Sequence, residues 1–168
     1  REQRLRKVVN AVGEAWTFEL NAAGRLVRET TFDGRAIAYQ YDAAGNLSAV
    51  REGSRALALE HDPAGQLVKR TVRGIEEEFE YDALGRLTRA KRNRVELTFE
   101  YNAVGWPTTQ RCKVGDEVTE VSLDWDVMGD VVEQRTSLGH ALSVTRDAIG
   151  RAISYAAPGL ELRRTYDG

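Results

Sequence analysis

Apolar and polar residues alternate with period two along most of this chain. Trp16, Phe18 and Leu20 are separated by Thr17 and Glu19, Ile37, Tyr39 and Tyr41 by Ala38 and Gln40, and Leu97, Phe99 and Tyr101 by Thr98 and Glu100. Leu57, Leu59 and His61, and later Val121, Leu123 and Trp125, follow the same rule. A period of two sends successive side chains to opposite sides of a strand, whereas helical spacing fits none of these segments. The pattern therefore predicts half-buried strands, each with one apolar face.

The strands recur in register. The stretch YDAAGNL, Tyr41 to Leu47, returns as HDPAGQL and YDALGRL. Residues equivalent to Tyr41 are Leu20, His61, Tyr81, Tyr101, Trp125, Arg146 and Tyr166, with steps of 20 or 21 residues apart from one of 24. The next position is acidic or its amide, namely Asn21, Asp42, Asp62, Asp82, Asn102, Asp126, Asp147 and Asp167. Four residues after the first seven slots comes glycine: Gly24, Gly45, Gly65, Gly85, Gly105, Gly129 and Gly150. Asp at the start of a turn accepts from backbone N–H groups two residues on, and Gly at its end takes a positive φ without a Cβ penalty. D-x-x-G thus predicts a type I turn closed by a glycine bulge, a common hairpin connection. That geometry sets Tyr41 opposite Leu47, His61 opposite Leu67 and Tyr81 opposite Leu87, and brings Asp82 to Arg86 and Asp147 to Arg151. The Pro63 of HDP merely occupies an ordinary turn.

A second series of turns falls midway, at Gly13, Asp33–Gly34, Gly53, Gly74, Asn93, Gly115–Asp116, Gly139 and Gly159. Each repeat is then two strands and two turns, and about fifteen strands follow. The 24-residue repeat adds two residues to each of its strands around RCKVGDEVTE, which keeps every side chain on its own face. Pro107 has no N–H to donate, so its strand is expected to be unpaired or bulged there. Open twisted sheets rarely exceed ~10 strands without curling or splitting, so the ribbon is expected to curl. The chain opens with Gln3 in a glycine position and the tail Arg4–Leu5, and closes on the unfinished RRTYDG. It reads as about seven repeats over residues 1–168, a slice of a larger shell.

Composition narrows the function classes. The 168 residues are 42% hydrophobic and 30% charged, a folded and soluble balance with room for one ordinary domain. A net charge of −2 gives no electrostatic footprint for nucleic acid, and no apolar run approaches the ~18 residues of a membrane span. The first residues, REQRLRKVV, have neither a Met nor an apolar signal core and look like a cut inside a longer chain. Cys112 is the only cysteine, and neither His61 nor His140 sits with it in a nucleophile motif, so it reads as structural. No catalytic, cofactor or metal residue is assigned. The row Glu19, Glu60, Glu80, Glu100 and Asp124 admits a cation site or a charged lining that does not stick to an enclosed cargo. With Thr, Arg and Lys as neighbours it reads first as a solvated sheet face. The aromatic slots read as packing positions, with His61 and Arg146 as substitutions whose stems pack and whose polar ends reach water.

YDAAGNL, YDALGRLTRA and RDAIGRA resemble the YD repeats of the Rhs family, which includes bacterial polymorphic toxins. Related repeats occur in the C component of Tc toxins and in teneurins. The resemblance implies an all-β fold of tandem antiparallel hairpins curling into part of a spiral shell, or cocoon. It implies a non-enzymatic scaffold of a secreted toxin, whose wall encloses a C-terminal toxin domain until delivery. Implied partners are the rest of the same shell, the enclosed domain, and secretion-system or chaperone proteins, with no cofactor, nucleic acid or membrane contact. The structural positions it marks are Tyr41, Asp42, Gly45 and Leu47 and their equivalents Asp62, Gly65, Leu67, Tyr81, Asp82, Gly85, Arg86, Leu87, Tyr101, Gly105, Trp125, Asp126, Gly129, Asp147 and Gly150. The teneurin branch implies the other class, a cell-surface adhesion or ligand-binding module.

Overall fold

The computed structural model describes residues 4–166. Gln3 and Asp167, assigned above to repeat positions, lie outside them. Sixteen strands, one more than the sequence pattern suggests, are arranged in chain order and paired antiparallel, with no helix among the described residues. They run β1 (Lys7–Val9), β2 (Ala15–Leu20), β3 (Leu26–Thr30), β4 (Ala36–Tyr41), β5 (Leu47–Glu52), β6 (Arg55–His61), β7 (Leu67–Val72) and β8 (Ile75–Tyr81). The second half continues with β9 (Leu87–Arg92), β10 (Val95–Tyr101), β11 (Pro107–Val114), β12 (Glu117–Trp125), β13 (Val131–Thr136), β14 (Ala141–Arg146), β15 (Ala152–Ala157) and β16 (Leu160–Arg163). Compactness divides the chain into two units, Arg1–Phe79 and Glu80–Gly168.

Each hairpin at a D-x-x-G sequence is closed the same way. At Asp82 the backbone N–H of Gly85 donates to the Asp82 carbonyl at 2.9 Å, and the Asp82 N–H donates to the Arg86 carbonyl at 2.9 Å. Gly85 takes φ of 80°, and the other six closing glycines lie between 79° and 97°. The ladder then slips by one residue immediately before the slot, between Gln40 and Tyr41 in the first unit and between Glu100 and Tyr101 in the second. Beyond the slip, Tyr41 faces Leu47, His61 faces Leu67 and Trp125 faces Val131. The bulge belongs to the motif. Pro107 sits in it opposite Tyr101 like any other residue at that place, so proline is accommodated by the bulge rather than creating it.

The midway turns fall where the sequence puts them, but they are of two kinds. Those ending in Gly13, Gly34 and Gly139 repeat the D-x-x-G hydrogen bonding, Gly34 N–H to the Thr31 carbonyl for example. Others are two-residue turns, as at Arg73–Gly74, where both residues have positive φ (52° and 77°), the geometry of a type I′ turn matched to strand twist. The 24-residue repeat lengthens β11 and β12 to eight and nine residues.

Each unit is a single layer, and a single layer has nothing to bury its apolar face against. Among the described residues no hydrophobic side chain is fully buried, and only Thr31, 8% exposed, is buried at all. Backbone pairing with chain neighbours therefore carries this fold more than a core does. It follows that the turn geometry is a large share of what each hairpin has. Gly85→Val should lose roughly 1–3 kcal/mol, because a β-branched residue is strained at that φ. Ala83→Val, at a permissive turn position, should stay within about 0.5 kcal/mol. Urea unfolding of the two variants checks this, and equal midpoints would contradict the turn assignment.

Candidate functional site

The feature that recurs from repeat to repeat is the seam between successive D-x-x-G hairpins. Within a hairpin the ladder reaches the turn. Between hairpins it stops early: β3 and β4 pair only as far as Arg28 with Ala38, three residues before Tyr41. The ladders between β9 and β10, and between β11 and β12, stop the same distance before Tyr101 and Trp125. Past that point the carbonyl of Leu26 has no ladder partner on this side, and the Tyr41 hydroxyl donates to it at 2.8 Å. Tyr101 does so to the Leu87 carbonyl at 2.7 Å and Tyr166 to the Ala152 carbonyl at 2.9 Å. Trp125 uses its indole Nε1–H for the Pro107 carbonyl at 2.6 Å. Each bond of this kind contributes on the order of 0.5–1.5 kcal/mol and spares a half-buried carbonyl from going unpaired.

The arginine of the motif lies on the other side of the same ring. The guanidinium of Arg25 sits 4.8 Å from the Tyr41 ring centre, Arg86 4.7 Å from that of Tyr101, and Arg151 4.5 Å from that of Tyr166. Arg86 also holds Asp82 of its own turn at 2.7 Å and reaches the Asn102 carbonyl of the next turn at 3.3 Å. One side chain thus ties turn to turn. The closing glycine makes room for it, since a Cβ on Gly45 would collide with the Arg25 guanidinium.

Sequence reading found these positions but missed the pairing between the Arg position of one repeat and the aromatic slot of the next. The signal was present where both positions depart together, although Leu20 departs with Arg4 kept and Gln66 departs with Tyr81 kept. Where Trp106 replaces Arg, Trp125 replaces Tyr, and the two rings lie 5.7 Å apart. Where Asp130 replaces Arg, Arg146 replaces Tyr, and the two form an ion pair at 3.5 Å. Arg146 consequently does not reach into water as expected: it pairs with Asp130, donates to the Gly150 carbonyl at 3.2 Å, and its Nε is buried without a partner among the described residues. His61 also differs from expectation. Its Nδ1 is buried and has no hydrogen-bond partner among the described residues, because the ring occupies the slot that elsewhere holds a longer Tyr.

The turn carboxylates are held by backbone amides. Asp82 Oδ1 accepts from the N–H groups of Leu84 and Arg86 at 2.9 and 3.0 Å, and Asp62, Asp126 and Asp147 repeat the arrangement. Chiefly the Arg86 N–H holds the Asp82 carboxyl below its ordinary range, and the Arg151 side chain does the same for Asp147.

The acidic row lies on the face opposite the aromatic slots, and three of its members, Glu80, Glu100 and Asp124, pair with arginines. Arg89 joins Glu80 and Glu96 at 2.5 and 2.8 Å, Arg111 joins Glu100 and Glu120 at 2.5 and 2.6 Å, and Arg135 joins Asp124 and Glu133 at 2.7 Å each. These are surface pairs that set register more than stability. No group of three or more His, Cys, Asp or Glu residues able to hold a metal occurs among the described residues. Cys112 is a free, half-buried thiol. On the aromatic face one carboxylate stands among rings: Glu29 accepts from Trp16 Nε1–H at 3.1 Å and from the Tyr39 hydroxyl at 2.7 Å. Burial first, and then this bond, pushes the Tyr39 hydroxyl up to about 12.

A family model described as Teneurin YD-shell matches residues 1–132. Among solved structures, the chain is similar to the crystal structure of TcdB2-TccC3-Cdc42, with a TM-score of 0.72 and 17% identity over 89% of this chain and 9% of that one. The Tc holotoxin pore of Photorhabdus luminescens is similar with a TM-score of 0.68 and 18% identity, over 86% of this chain and 9% of that one. The chain thus spans under a tenth of the length of these fold neighbours. The comparison with curated proteins gives no match.

The geometry of the turns and seams has two expected outcomes. A carboxylate whose folded pKa is depressed contributes stability that is present above its unfolded pKa, near 4, and lost as pH falls through the folded value. Thermal unfolding should therefore show a stability loss below about pH 4 that is smaller in Asp82→Asn, since Asn keeps the Oδ1 acceptor, as Asn102 does. At the exchanged seam, Asp130→Arg combined with Arg146→Tyr should restore an Arg–Tyr pair. A double-mutant cycle should give a favourable coupling of about 0.5–1 kcal/mol relative to the two single variants.

Proposed function

The chain belongs to the teneurin YD-shell family, and we propose that it is a stretch of wall in a hollow, secreted toxin shell that encloses a C-terminal toxin domain until delivery. The observation that carries this reading is that the strands of each unit pair in chain order and that, among the described residues, no hydrophobic side chain is buried in a core. Such a material is quasi-one-dimensional. Each repeat is stabilised by its neighbours, so it extends by repetition and spends no residues on an interior of its own.

On this reading residues 1–168 are one continuous repeat segment with no catalytic role, and any enzymatic activity lies in the enclosed domain. A wall of paired backbone offers a protease no loose loop. A cargo behind it can stay unfolded without aggregating, because its apolar surface meets no partner. The polar face, whose carboxylates are partly neutralised by arginines, suits a wall whose surfaces do not adhere to what they enclose. Partners are the remainder of the shell, the cargo, and the secretion or chaperone proteins that deliver it.

Limited proteolysis of the complete protein tests the proposal. The C-terminal domain should survive protease until mild acid or denaturant opens the shell, and should then be cut before the repeats. A C-terminal domain digested at once from the native protein would overturn encapsulation and favour surface adhesion.

A further inference from the structure

One carboxylate stands where the face around it is apolar. On the aromatic face of the first unit, Glu29 lies in register between Phe18 on β2 and Ile37 on β4. Trp16 Nε1–H donates to one of its oxygens at 3.1 Å, and the Tyr39 hydroxyl donates to the other at 2.7 Å. Trp16 in turn stacks on Phe18 with ring centres 5.8 Å apart and meets Phe32 edge-on at 5.5 Å. All five side chains are half-buried, so the carboxylate can still be reached from outside.

The two neutral donors fix the carboxylate and leave its charge uncompensated. Glu29 forms no ion pair with any described residue, Arg6 opposite Phe18 included. The same register position in later repeats shows what a charge on this face requires. It holds Val50, Ala90, Gln110, Gln134 and Tyr155, all neutral, and once Arg70. Arg70 has Glu77 directly across the ladder and pairs with it. Glu29 has Ile37 there instead. A half-buried charge is costly unless a counter-charge is supplied, and these strands supply none.

The surroundings select the kind of cation. Calcium or magnesium takes several oxygen ligands, and this site offers one carboxylate among rings. An organic cation fits both parts, with its charge on the carboxylate and its stem on the aromatic surface. We propose that Glu29, Trp16, Phe18, Phe32 and Tyr39 form a binding site for an ammonium or guanidinium group carried on an apolar stem. Lysine and arginine side chains have that chemistry, and so do free alkylamines. Such a site is compatible with a wall but does not depend on one.

Photolabelling of the complete protein with a diazirine-bearing alkylammonium, read by peptide mass spectrometry, tests the site. Label should fall on peptides containing Trp16, Phe32 or Tyr39, and n-butylammonium but not n-butanol should displace it. Glu29→Gln keeps the shape and an acceptor oxygen, and should lower labelling about tenfold or more. Ile37→Lys sets a cation across from Glu29, as Glu77 stands across from Arg70, and should lower labelling as far with the carboxylate still in place. A second arm places p-benzoylphenylalanine at position 32 and omits the probe. If a basic side chain of a protein segment already fills the site, free amine does not label it. Cross-links then run to a lysine- or arginine-bearing peptide and disappear in Glu29→Gln. Labelling or cross-linking unchanged in Glu29→Gln, or neither signal in the native protein, would overturn the site.

Discussion

Between one D-x-x-G hairpin and the next, the backbone ladder ends three residues before the slot, and the side chain in the slot closes the gap. Everything regular in the chain follows from that constraint. The glycine bulge increases local twist and shifts the ladder, which separates neighbouring hairpins toward the turn edge. The separation strands a carbonyl, such as that of Leu26, and the Tyr41 hydroxyl satisfies it from the next repeat. An Arg from the earlier repeat then covers the ring, Arg25 that of Tyr41 and Arg86 that of Tyr101, and Arg86 also returns to Asp82 of its own turn. Aromatic, Asp, Gly and Arg are therefore parts of one joint, shared by two repeats.

Because the joint is shared, two of its exceptions are matched on both sides of the seam. Trp106 with Trp125 keeps both functions of the usual pair: one ring covers the other, and the indole N–H supplies the donor that a Tyr hydroxyl would. Asp130 with Arg146 keeps the attraction and exchanges the sides. His61 keeps only the aromatic stem and leaves a ring nitrogen unpaired. At the Trp106–Trp125 and Asp130–Arg146 seams the repeats are thus less degenerate than single positions suggest, since contact across the seam is kept.

Each unit has two unlike faces and, among the described residues, no buried hydrophobic side chain. On the polar face, triads such as Glu100–Arg111–Glu120 tie neighbouring strands together and keep one net negative charge. The aromatic face is only half covered by its own rings and aliphatic residues. Stability must come from neighbours along the strip, which is the logic of a wall rather than of a self-contained domain.

The sequence by itself determined the strands, both series of turns, the positive-φ glycines and the facing of Tyr41 with Leu47. All of these are local consequences of period-two patterning and turn chemistry, which act within about seven residues. It also indicated that the acidic row is a sheet face, because arginines alternate beside it. Three things waited for the tertiary structure. The origin of the bulge at Pro107 lies in the motif and not in proline, which only comparison of the ladders reveals. The coupling of Arg86 to Tyr101, fifteen residues on, depends on how far neighbouring hairpins separate, and no local propensity encodes that distance. The fates of His61 and Arg146 depend on the partner each meets across the seam: the slot predicts a packed stem, while the neighbouring repeat decides whether its polar atom is satisfied.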